Sequence, residues 1–89
     1  MPYVDRASRE RIIHSDQHGA NIRLDEIRTV GEVNFAIAVI ARHYLAHHGT
    51  RYATFNDLIG ALEAAKLEIY RRLVVPYEED RMQHNEDVF

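Results

Sequence analysis

With 89 residues, 46% of them hydrophobic and 28% charged, the chain has the composition of one small globular domain, which excludes disorder as its default state. Eleven basic against fourteen acidic residues leave a formal net charge of −3, so the broad basic field that generic nucleic-acid binding needs is missing. The absence of cysteine excludes disulfides, thiolate metal ligands and a cysteine nucleophile.

No signal peptide, lipidation motif or apolar run of about 18 residues stands in the sequence, so the expectation is a cytoplasmic protein that does not engage a membrane. A domain this small buries roughly 60–65% of its unfolded surface, a thin margin that a partner copy would widen.

Met1 to Asp5 offers Tyr3 and Val4 for docking on a core. From Arg6 to His14 the pattern is mostly charged, with Ile12 and Ile13 as apolar contacts; a short helix capped by Asp5 is expected. Ser15 to Asn21 reads as a turn with Gly19 at its tightest point. Ile22, Leu24 and Ile27 then supply contacts from an irregular segment or a brief helical turn.

Thr29-Val30-Gly31-Glu32 has capping-box spacing: the threonine oxygen takes an early backbone N–H and the glutamate reaches back to the cap. This predicts a helix from Val30 to His48, stopped by Gly49 in the left-handed region. On a helical wheel Val33, Ile37, Ile40, Ala41, Tyr44 and Leu45 share one side, with Asn34 among them. The run Phe35 to Ala41 is apolar all round, more than a surface helix needs. Burial on two sides, in the core and in a subunit contact, is the expectation.

A short connection at Thr50 to Ala53 has the length that joins antiparallel neighbours. The next helix is expected from Phe55 to Val75, capped by Thr54 and Asp57 and ended by Pro76, since the residue before a proline disfavours helix. Phe55, Ile59, Leu62, Ile69 and Leu73 form its apolar stripe. Lys66 falls in the middle of that stripe, with Glu63 and Tyr70 within reach on the same surface. A lysine among core positions needs partners, because an unpaired buried ammonium costs several kcal/mol.

Three stretches carry a resemblance: GEVN (Gly31, Glu32, Val33, Asn34), the set Leu62, Glu63, Lys66, Leu67, Glu68, Tyr70, Arg71 and Arg72, and PYE (Pro76, Tyr77, Glu78). Over roughly residues 29 to 89 and the first few, the chain resembles a family of small proteins of unknown function encoded by bacteriophages and prophages. It departs from that pattern in the tail, where Glu86 and Phe89 replace the more usual glycine and closing tyrosine. The resemblance implies no established activity, and residues 6 to 28 match no motif of it.

Three constellations bear on function. Asn34, Glu63, Lys66 and Tyr70 read either as a satisfied buried network that fixes register or oligomeric state, or as a pocket in which Lys66 meets an anion. A lysine nucleophile or acid–base catalyst is the third reading of the same set. Arg71 and Arg72 suit a helix C-terminus for the macrodipole alone, yet their guanidinium forks beside Tyr70 and Tyr77 also suit a phosphate-bearing nucleotide. His43 and His47, and equally His14 and His18, have the spacing of neighbours on one helix face, but with no third ligand motif they read as solvated histidines. No nucleophile elbow, phosphate loop or dinucleotide fingerprint is present.

The expectation is therefore an all-α single domain: a long antiparallel helical hairpin with a short N-terminal helix across it, assembled as a homo-oligomeric bundle. It is expected to be non-enzymatic, with no cofactor or metal. One functional reading is an oligomeric binder that sequesters an anionic, nucleotide-like host-defence signal through Asn34, Glu63, Lys66, Tyr70, Arg71, Arg72 and Tyr77. The other is a protein–protein interaction or inhibitor module, acting on a host or phage protein, whose polar set is purely structural.

Overall fold

A computed structural model describes residues 4–16 and 19–85. The order is helix α1 (Arg6–Ile12), strands β1 (Ile13–Asp16) and β2 (Gly19–Ile22), a 3-10 turn at Leu24–Glu26, then helices α2 (Val30–His48) and α3 (Tyr52–Ile69). A π-helical turn at Tyr70–Val74 leads into α4 (Val75–His84). The chain divides into two compact units, Met1–Gly49 and Thr50–Phe89. The protein is thus mostly helical, with a small sheet that the all-α expectation lacked.

In the first unit α1 starts where Asp5 accepts the Ser8 N–H at 2.7 Å. That hydrogen bond holds the Asp5 carboxyl below its ordinary value. Ile12, fully buried, closes the helix.

β1 and β2 pair antiparallel, Ile13 opposite Ile22 and Asp16 opposite Gly19, where a turn followed by an irregular segment was expected. Gly19 therefore belongs to a strand. Only Gln17 and His18 separate the paired ends, and both lie outside the described residues, as does the His14–His18 spacing. The β-branched Ile13 and Ile22 stand at the open end of the ladder, which the Arg23 N–H extends to the Ile12 carbonyl at 2.7 Å. The turn residues between them masked this alternation.

α2 has the expected bounds, and Thr29 caps it by accepting the Glu32 N–H at 3.1 Å. Gly49 ends it with φ 88° and ψ 155°, a positive φ that favours glycine but with ψ well outside the left-handed helical region expected. The buried face is Glu32, Phe35 and Ala36, with Val39 half-buried. It is not the side predicted from the wheel, of which Val33, Ile37, Ile40 and Tyr44 are exposed. Because the helix is apolar nearly all round, periodicity could not choose which side meets the core.

In the second unit α3 begins at Tyr52, three residues before the predicted start, so Thr54 lies inside the helix and is buried instead of capping it. The helix also does not end at Val75. The backbone stays right-handed helical through Ile69, Tyr70, Val74 and Val75, and the Val75 N–H reaches back five residues to Tyr70. Proline has no N–H and its ring crowds the carbonyl four residues earlier; the wider π turn immediately before Pro76 moves those groups apart and lets the rod continue to His84. Among the described residues of this unit no apolar side chain is buried. No described helix is long and apolar enough to cross a membrane.

Candidate functional site

The polar residues singled out on α3 are all at the surface. Lys66 donates to Glu63 at 3.2 Å, three residues away, and their side chains are 70% and 54% exposed. The pair is made, but Lys66 does not lie in a core within the chain. The stripe around it is equally open: Phe55 is 44%, Ile59 64%, Leu62 38%, Ile69 56% and Leu73 66% exposed.

Past Ile69, Arg71 and Arg72 both pair with the single carboxylate of Glu68, about one turn of helix earlier. Two guanidinium groups thus share one acid, a choice of partner that the run Glu68 to Arg72 allows at i,i+3 and i,i+4. Tyr70 and Tyr77 are exposed and stand beside this cluster in sequence. Asn34 belongs to the first unit, where it lines a shallow, mostly apolar recess of about 340 Å³ with Val30, Gly31, Val33 and Ile37.

A polar network among the described residues of the first unit combines residues that sequence reasoning left apart. The Arg11 guanidinium reaches Glu32 at 2.7 Å and Glu26 at 3.0 Å, and also donates to the Glu26 carbonyl. Arg28 pairs with Glu26 at 3.0 Å. Glu32, almost fully buried, accepts the Arg28 N–H at 2.8 Å. The glutamate of the capping box thus reaches back to the residue before the cap, and its other oxygen meets Arg11.

The Arg28 N–H first, and Arg11 next, hold the Glu32 carboxyl below its usual range, and Glu32 in turn raises Arg11. No side-chain nitrogen or oxygen buried among the described residues lacks a hydrogen-bond partner. A set of this kind ties α1, the 3-10 turn and the start of α2 together. The capping-box spacing was its one visible signal; the role of Arg11 depends on a fold that brings residues 15 apart together.

A second feature of this unit is an apolar groove of about 430 Å³ floored by Ile13, Phe35, Val39 and Ala46 and rimmed by Arg9, Arg42 and His43. Arg9 lies 5.4 Å over the Phe35 ring and donates to the Val4 carbonyl. Arg42 has no ion-pair partner among the described residues.

The histidines on α2 interact locally: the His43 and His47 rings stand 4.3 Å apart, His47 Nδ1 meets the His43 carbonyl, and His48 stacks on Tyr44. Among the described residues no three His, Cys, Asp or Glu side chains converge as a metal set.

A family model described as a domain of unknown function (DUF6899) matches residues 1–88, both units together. No curated protein and no solved structure matches the chain.

Proposed function

The chain belongs to the DUF6899 family, a domain of unknown function, and from that premise we propose that it is a non-enzymatic protein that works by helix-mediated association, first of all with copies of itself. One observation carries this reading: α3 is 18 residues long and continues into α4, yet its unit buries no apolar side chain among the described residues. Isolated helices are marginal in water, and an amphipathic rod draws its stability from packing its apolar face. The second apolar side of α2, with Val33, Ile37, Ile40 and Tyr44 exposed, supports the same reading.

On this proposal the expected hairpin of the two long helices, and its assembly into a bundle, form in the oligomer. The polar set Glu63, Lys66, Glu68, Arg71 and Arg72 then sets register, and the resemblance to phage and prophage proteins suggests that the assembled form inhibits or organises a host or phage protein.

Sedimentation of the wild-type chain against Leu62→Glu tests it. The expected result is a defined oligomer that Leu62→Glu converts to monomer while the first unit keeps its fold; a wild-type monomer at every concentration overturns the proposal.

A second reading keeps the protein as a binder of anionic, nucleotide-like ligands. The observation in its favour is that Arg71 and Arg72 share one acid while Arg42 has no ion-pair partner among the described residues, so both places hold surplus positive charge. It predicts that replacing Arg71 and Arg72 together by alanine abolishes binding of a nucleotide in calorimetric titration, whereas replacing Glu68 strengthens it. Unchanged binding in both variants excludes the cluster of Glu68, Arg71 and Arg72.

A further inference from the structure

The partner of the α3 stripe can be specified further, on the premise of the self-association just proposed. Phe55, Ile59, Leu62, Lys66 and Ile69 are spaced 4, 3, 4 and 3 residues apart, the a/d pattern of a coiled coil, with Phe55, Leu62 and Ile69 at d and Ile59 and Lys66 at a. All four apolar members are exposed, so the seam is open along its length. The π turn that begins at Tyr70 ends this phase.

A lysine at an a position discriminates between orientations. In a parallel pair the a residues of both helices share a layer, and Lys66 would face Lys66 of the second copy in the middle of the apolar seam. In an antiparallel pair a meets d: about a two-fold axis at residue 64, Lys66 of each copy stands level with Leu62 of the other, and Ile59 level with Ile69.

The charges flanking the axis agree with the second arrangement. Glu63 stands one residue on the near side of the axis and Lys66 two residues on the far side, so each Lys66 arrives beside Glu63 of the second copy. Two glutamates and two lysines close into a neutral ring of four. On the other flank stands Ala65, small enough for the backbones to approach. The Glu63–Lys66 pair already formed within one chain, at 3.2 Å, holds both groups on the side where that ring forms.

We propose that two copies of this chain pair antiparallel through α3, centred on residue 64, with Glu63 and Lys66 of both copies as the electrostatic lock that sets direction and register. Such a contact is isologous, the same patch used twice, and closes on itself as a dimer. The lock works by selection: it removes the parallel alternative as much as it holds the antiparallel one.

Because the chain has no cysteine, a single introduced one reports on the pairing without interference. Ala65→Cys, next to the axis, is expected to form a disulfide-linked dimer on mild oxidation of the full chain, whereas Ala64→Cys, on the opposite side of the helix, is not. Both alanines are exposed in the single chain, so neither change threatens the fold. Lys66→Glu alone should shift sedimentation to monomer, and adding Glu63→Lys should restore the dimer, since an antiparallel ring tolerates exchange of its signs. An oligomeric wild type with no Ala65→Cys cross-link, or with no rescue by the exchange, overturns the antiparallel pairing and leaves self-association standing. A monomeric wild type overturns both.

Discussion

Glu32 shows how one side chain can do several jobs at a helix start. Its N–H goes to the Thr29 hydroxyl, one carboxylate oxygen takes the Arg28 N–H, and the other meets Arg11. Because its folded value is depressed, the stability it contributes is fully present above the ordinary glutamate range and is lost as pH falls through the folded value. Glu32→Gln should therefore melt lower than wild type near pH 7, and the gap should narrow as a series of melts is taken into acid. A gap independent of pH would show that the charge contributes nothing. Ile12, fully buried at the junction of α1 and β1, tests packing instead: Ile12→Ala should cost about 2–5 kcal/mol in urea denaturation of the first unit. The sequence made Glu32 visible as a cap but hid Arg11, because partners so far apart in the chain meet only once the intervening residues have folded.

At the scale of elements, capping chemistry was the most legible feature. Asp5, Thr29 and Gly49 mark their helix ends because each supplies or permits a local hydrogen bond that neighbouring residues alone determine. Pro76 misled for the complementary reason: a proline ends a regular α-helix, but a π turn accommodates it, and the side-chain pattern before Pro76 carries no mark of that wider turn. The β1–β2 ladder was hidden by the glycine and polar residues that also signal a turn. Gly60 offers a test of α3 as a helix in its own right. It sits in the helix interior with a negative φ and open space where a Cβ would stand. Gly60→Ala should raise helix stability by about 0.5–1 kcal/mol, read as a higher midpoint in thermal circular dichroism. Because Gly60 lies off the Phe55–Ile69 stripe, the oligomeric state should not change.

For the whole molecule, the distribution of burial matters more than any single contact. Every buried apolar residue among those described, Ile12, Phe35 and Ala36, belongs to the first unit. Periodicity marked an apolar stripe on α3 and could not choose a side of α2, and in neither helix could it say whether an apolar face meets the same chain or another copy, since the side-chain pattern is identical in the two cases. That ambiguity explains why Lys66 read as a core lysine and stands exposed in the chain. If the second unit is stabilised by association, its melting temperature should rise with protein concentration, and that of the first unit should rise less. Thermal unfolding followed over a hundredfold dilution, with probes in each unit, decides this; equal insensitivity in both units would mean that α3 is stable alone.

The π turn before Pro76 has a consequence for how this rod tolerates length changes. A π turn amounts to one extra residue accommodated within a helix, so the side chains beyond it, Tyr77 and Met82, are turned by about 100° relative to an uninterrupted α-helix. The rod behaves as two keys cut on one shank, each with its own azimuth. Removing one residue between Tyr70 and Val74 would bring the two cuts into line and merge them into a single longer edge, while an insertion would turn them further apart. Reading frame and helix content would survive either change; the number of surfaces the rod can offer to neighbours would not.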